Sequence, residues 1–150
     1  MTQIHVAELR VQDVVDVLSS VQSLAFLDKS VFNAIGEQLQ VIHRKRYKQQ
    51  IDPDGNAWTP LNDKYLAKKK EEGAYKDILQ YTGKMLDTLT HQATDYGVKF
   101  CSNAIQAASM HYGRDDIPSR KFVGLNAADY VIISEEIADA YEVWLAKQSK

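Results

Sequence analysis

A stripe of apolar residues that predicts one long helix constrains the fold more than any other feature of the sequence. The stripe advances in helical steps through Val31, Phe32, Ile35, Leu39 and Ile42. Asp28 precedes it and is suited to cap the first turn. The cationic stretch 43–48 follows it and suits the negative end of the helix dipole. Gly36 weakens a helix by about 1 kcal/mol relative to Ala, so its presence indicates close packing there.

Two further stripes predict a helix at each end of the chain. The first comprises Leu9, Val14, Val15, Leu18 and Val21. The second comprises Tyr130, Ile133, Ile137, Tyr141 and Trp144, and we expect it to be buried. Asn126 is suited to cap the last helix, with Asp129 in its first turn.

The segment between these helices predicts turns, short helices and a hairpin. Residues 52–56 form the strongest turn signal of the sequence, and a short helix is expected over 62–72, ended by Gly73. Met85, Leu86 and Leu89 could be helical, but alternation favours a hairpin with strands 89–93 and 98–102. A short helix over 104–112 and a strand over 121–125 complete the prediction. Segregated helices and strands predict an α+β fold with N-terminal helices, a small antiparallel sheet and a C-terminal helix.

Length and composition predict one domain that folds inside a cell. A chain of 150 residues has the usual size of a single domain, here 1–150, and such a domain buries roughly 70% of its unfolded surface. Cys101 is the only cysteine, which excludes an internal disulfide and fits a reducing cytoplasm. No apolar run approaches the roughly 20 residues that span a bilayer. The first ten residues lack the pattern of a secretory signal.

A search for catalytic or metal-binding patterns identifies no reaction centre. No two of the four histidines lie at ligand spacing. Cys101 in a predicted strand is expected to be a small buried hydrophobic residue, because nothing places His91 or His111 beside it as a base. Asp115 and Asp116 lie near Arg120 and Lys121, but their spacing does not match a nuclease. We therefore expect no enzyme, no cofactor and no metal site, with a hydrolase as the weakest alternative.

The charge distribution leaves two kinds of interaction open. The net charge is −2, with −3 over 1–40, +3 over 41–80 and −3 over 126–150. This dipole suits head-to-tail contact between copies. The basic run 44–48, extended by 68–70, could instead contact nucleic acid, although solvated helix ends explain it equally well. A small nucleic-acid-binding protein is therefore an alternative function.

Four short motifs occur in order along the last hundred residues. They are Gly55-Asn56-Ala57-Trp58-Thr59-Pro60-Leu61, then Ile78-Leu79-Gln80-Tyr81-Thr82-Gly83-Lys84-Met85, then Met110-His111-Tyr112-Gly113, and finally Ile117-Pro118-Ser119-Arg120-Lys121-Phe122-Val123-Gly124-Leu125. Together they resemble the tail-completion, or virion-morphogenesis, family of tailed bacteriophages. Each motif alone is weak, and four in the same order are fairly specific.

The resemblance implies a structural protein at the head–tail joint of a phage or prophage virion. Such a protein is assembled in the bacterial host cytoplasm and has neither catalytic residues nor cofactors. Its implied partners are other copies of itself, in a ring, together with tail-tube and neck or connector proteins, close to DNA and away from membranes. A tail terminator is an alternative of the same class.

The motif residues are expected to be mainly structural. Those that we expect to hold loops and turns are Trp58, Pro60, Gly83, His111, Gly113, Pro118 and Phe122. Phe122 should point into the core, while Arg120 and Lys121 stay available to partners. Arg114, Arg120 and Lys121 are the candidate partner contacts, and the alternative is that they only solvate a loop.

Overall fold

The computed structural model describes residues 25–74 and 77–150, and the predicted first stripe lies outside them. Helix α1 spans Lys29–Gln49. A side-chain oxygen of Asp28 accepts hydrogen bonds from the amides of Ser30 and Val31 at 2.8 and 3.2 Å, so Asp28 caps this helix as predicted. The helix ends where Gln50 turns left-handed, at φ 57°.

The predicted turn over 52–56 and the short helix after it are both present. Asp52 accepts a hydrogen bond from the Asn56 amide at 2.8 Å, and Gly55 takes φ 88°, which an L side chain rarely adopts. Helix α2 spans Asp63–Glu71 and is capped by Asn62. Helix α3 is a single turn, Lys84–Asp87, that follows a left-handed Gly83.

The predicted hairpin consists of strands β1, Leu89–Thr94, and β2, Gly97–Ser102. They pair antiparallel, with Leu89 opposite Ser102 and Thr94 opposite Gly97. One face of the hairpin packs on α1. A Cβ on Gly36 would lie 2.3 Å from the His91 ring, which explains the glycine that the sequence places inside α1. Cys101 points away from this contact and is exposed, so its predicted burial is wrong.

Helix α4 spans Ala107–Tyr112 and is shorter than predicted. Helix α5 spans Ala127–Gln148, and Asn126 and Asp129 form a reciprocal capping box at its start. The expected strand over 121–125 is absent: this stretch is irregular, with a bend at Val123.

The predicted apolar stripe of α5 is only partly covered. Tyr130 is 48% exposed, and Asp129 is the one buried residue of the helix. Ile133 and Ile137 do face α1 and line a groove beside it. The periodicity therefore identified the correct face, but overestimated its burial.

The core lies between α1, the loop after it, α3 and the segment over 118–125. It contains Tyr47, Trp58, Met85, Leu86, Leu89 and Phe122. Tyr47 packs edge-on against Trp58 and Phe122, with ring centroids 5.1 and 5.8 Å away. Long helices at both ends and a two-stranded antiparallel sheet confirm the α+β prediction.

No helix in the described part of the chain is long and apolar enough to cross a membrane.

Candidate functional site

The fourth motif is held in place by the first motif. Trp58 Nε1–H donates to the Lys121 carbonyl at 2.8 Å. In return, the Arg120 guanidinium donates to the carbonyls of Thr59 and Pro60 at 2.7 and 3.2 Å. These contacts join stretches about sixty residues apart in sequence, so the two motifs form one structural unit.

Two histidines accept backbone amides of the segment over 118–125. His111 Nδ1 accepts the Phe122 amide at 3.3 Å, and His43 Nε2 accepts the Gly124 amide at 3.2 Å. His43 Nδ1–H also donates to the Leu39 carbonyl at 2.7 Å, so its ring is neutral with the proton on Nδ1. Burial lowers the pKa of both rings, and for His111 the nearby Lys121 lowers the pKa further.

The third motif supplies a tight turn against this segment. Gly113 has φ 77°, and a Cβ there would lie 2.8 Å from the Ser119 amide nitrogen and 2.9 Å from the Ile117 carbonyl oxygen. The Ser119 hydroxyl donates to the His111 carbonyl at 2.7 Å. Only glycine combines this φ with such a close approach of two backbones.

A cleft of about 590 Å³ opens between α2, α3, α4 and the fourth motif. We call it the motif cleft, because residues of all four motifs line it. Its apolar lining includes Pro60, Leu61, Tyr65, Leu79, Met85, Met110, Ile117 and Pro118. The cleft is therefore largely apolar, with charged groups at a few points.

Three cations and one acid line the motif cleft: Lys69, Lys84, Arg120 and Asp116. Lys69 is 2% exposed, and its ammonium donates to the carbonyls of Asp77 and Gln80, both at 2.8 Å. Arg120 is 6% exposed. Burial lowers the pKa of both groups, yet neither forms an ion pair with a carboxylate of the described residues. Backbone carbonyls instead accept their hydrogen bonds, so this wall of the cleft contains two buried cations that no described carboxylate pairs.

The structure distributes the predicted site residues over three environments. Trp58 and Phe122 lie in the core, while Pro60 and Pro118 line the motif cleft. Gly83, His111 and Gly113 hold the turns around it.

The three candidate partner contacts differ in exposure. Arg114 and Lys121 are exposed, and Arg114 Nε lies 3.5 Å from a carboxylate oxygen of Asp115. The expectation that Arg120 stays exposed is wrong, because its guanidinium is needed to hold two carbonyls of the first motif. A role for these three cations in partner binding stays a prediction.

Sequence reasoning missed Lys69 and the ion pair of Asp129. Lys69 belongs to a run of three lysines that resembles a solvated helix end. The signal available in the sequence was its position four residues after Tyr65, because residues four apart lie on the same face of a helix and Tyr65 also lines the cleft. Asp129 is 1% exposed and receives two hydrogen bonds from Arg46 at 2.6 and 2.7 Å. Burial opposes its ionisation, but these bonds and the Asn126 amide prevail and lower its pKa.

Half of the cations in the basic run 44–48, which suggested nucleic-acid binding, are engaged within the fold. Arg46 is paired with Asp129, and Arg44 donates to the carbonyls of Asp87 and Leu89. Of the four cations of this run, Lys45 and Lys48 remain exposed. Lys68 and Lys70 of the second basic stretch are exposed as well, so four of the seven cations of the patch face solvent.

No group of three potential metal ligands occurs among residues 25–74 and 77–150. Asp115 is highly exposed, and Asp116 lies in the wall of the motif cleft. The site holds segments together and offers a partly apolar, cationic recess.

Comparison with curated proteins and with solved structures found no match. In contrast, residues 9–144 match the model of the phage virion morphogenesis family. The match includes all four motifs and every residue of the motif cleft. The chain therefore belongs to the phage virion morphogenesis family.

Proposed function

We propose that the protein acts at the head–tail joint of a tailed phage or prophage, where it completes the tail or connects it to the neck. The observation that carries this proposal is the family match over residues 9–144. Within that span the four motifs that suggested tail completion stand in the expected order.

The geometry supports a binding role without catalysis. Polar groups of the motifs, such as Trp58 Nε1 and the Arg120 guanidinium, are engaged with backbone carbonyls. A cleft built in this way presents a fixed surface, which suits a subunit that must fit between other proteins. We propose that residues 1–150 act as one domain, that copies form a ring in the virion, and that tail-tube and neck proteins are its neighbours.

Electron microscopy of lysates from a phage that lacks this gene tests the role. Filled heads beside separate tails of normal length are the expected result. Overlong tails would instead assign the protein as a tail terminator. Normal infectious particles would contradict both roles, and the remaining exposed cations would then justify tests of nucleic-acid binding.

A further inference from the structure

We propose that the outer face of α5 of one copy docks into the motif cleft of the next copy. This inference rests on the proposed function, because it supplies the contact by which copies would join. It names both surfaces, neither of which the family match identifies.

The outer face of α5 is a continuous exposed stripe opposite the face that packs on α1. Its residues recur at helical spacing: Val131, Glu135, Ala138, Asp139, Glu142 and Leu145, all exposed. Val131 is 56% and Leu145 40% exposed. Three carboxylates thus lie among apolar and small side chains on a helix that buries only Asp129.

The lining of the motif cleft carries three cations against one acid, Asp116, and is otherwise largely apolar. Lys69 and Arg120 bring two buried cations without a carboxylate partner, and exposed Lys84 adds a third. Met85 and Met110 provide an adaptable apolar lining beside them. A helix face that carries acids between apolar side chains satisfies both properties of the cleft. A nucleic acid would satisfy the charge alone.

The pairing is heterologous, because each copy carries one outer face and one cleft. In a dimer joined in this way, one copy still has a free cleft and the other still has a free outer face. The contact can therefore be repeated from copy to copy. The acidic residues of this contact belong to the 126–150 region, and its basic residues are the cleft cations Lys69, Lys84 and Arg120.

Site-directed crosslinking of full-length protein tests the contact even when it is weak. Both partners carry Cys101→Ser, since the exposed native cysteine would otherwise react. One copy then carries Lys84→Cys at the cleft, and a differently tagged copy carries Glu135→Cys on the outer face. The matched control replaces Lys84→Cys by Lys45→Cys, an exposed lysine of α1 that does not line the cleft.

With a short bismaleimide, we expect about tenfold more tagged heterodimer from the Lys84 pair than from the Lys45 pair. The excess should fall in high salt, because salt screens the charge attraction. Equal yields from the two pairs at high protein concentration would overturn the proposed contact. If the crosslinking yields are equal but the gene-deletion lysate contains separated heads and tails, the proposed contact is wrong and the proposed function is supported. Normal particles in that lysate would overturn the function whatever the crosslinking shows.

Discussion

The segment over 118–125 and helix α5 lie next to each other in the sequence but are held in opposite ways. The segment has no strand partner, yet Trp58, His43 and His111 bind its backbone, and Phe122 is buried in the core. Helix α5 has 22 residues and satisfies its own backbone, but it buries Asp129 alone. An irregular segment is thus held by side chains of other elements, whereas a regular helix packs Tyr141 and Trp144 on Phe26 and leaves every side chain except that of Asp129 exposed or half-buried.

This difference leads us to expect different roles for the two regions. A backbone segment that is not hydrogen-bonded in a helix or sheet needs side-chain partners for its amides and carbonyls. The motif residues supply these partners and thereby hold the wall of the cleft in place. The backbone of a helix needs no side-chain partners, because its amides and carbonyls bond to each other. The outward side chains of α5 are therefore available for contact with another protein. Stability should therefore depend on the first region, and assembly on the outer face of the second.

Loss of the Trp58 side chain should have the largest effect on stability. Trp58→Ala removes a buried aromatic that packs on Tyr47 and leaves the Lys121 carbonyl without its donor. We expect the free energy of unfolding to fall by about 3–5 kcal/mol in chemical denaturation. Trp58→Phe is the matched control: it keeps a ring, loses the hydrogen bond and should cost less. A loss below about 1 kcal/mol for Trp58→Ala would show that the cleft is not locked through this residue.

Loss of the buried ion pair between Asp129 of α5 and Arg46 of α1 should have the next largest effect on stability. Asp129→Ala leaves the largely buried Arg46 without its carboxylate and removes the side-chain part of the capping box. Breaking a buried pair in this way costs about 3 kcal/mol or more. Asp139→Ala, an exposed acid of the same helix, is the control and should change stability by less than about 0.5 kcal/mol. Similar losses for both variants would mean that α5 is not anchored at Asp129.

Mild acid should loosen the locked segment by a smaller amount. The folded-state pKa of His43 is lowered from 6.5 by burial, so the unfolded chain binds more protons than the folded one as pH falls below that value. Stability is then fully present above about pH 6.5 and declines toward lower pH, because protonated His43 cannot accept the Gly124 amide. His111 adds to the same slope.

Denaturation measured between about pH 7.5 and about pH 5 checks this slope. His43→Gln should flatten it relative to the wild type, while it lowers stability at neutral pH. An unchanged slope in the variant would assign the acid sensitivity to another group.

Substitutions on the outer face of α5 should have the smallest effect on folding. Glu135→Lys together with Glu142→Lys changes two exposed side chains that make no hydrogen bond or ion pair among the described contacts. We expect a change in the free energy of unfolding within about 0.5 kcal/mol. A large loss would show that this face is part of the fold and would remove the contrast with the cleft.

Local signals predicted the regular elements well. Asp28 and Asn126 cap helices as predicted, and alternation identified the hairpin almost to the residue. These features depend on residues a few positions apart, so a single sequence contains the information.

Contacts between residues far apart in the sequence could not be predicted in the same way. The pattern over 121–125 suits a strand, but Phe122 and Gly124 donate to histidine side chains instead. Arg120 was expected in solvent and lies in the cleft, because two carbonyls sixty residues earlier need its donors. In each case the partner is set by the tertiary fold, which periodicity does not show.

Complementation of the gene deletion with the Glu135→Lys/Glu142→Lys variant tests the central claim most directly. The variant should fold with wild-type stability, and electron micrographs should nevertheless show filled heads beside unattached tails. Infectious particles at the wild-type titre would contradict the claim that the outer face of α5 is reserved for assembly.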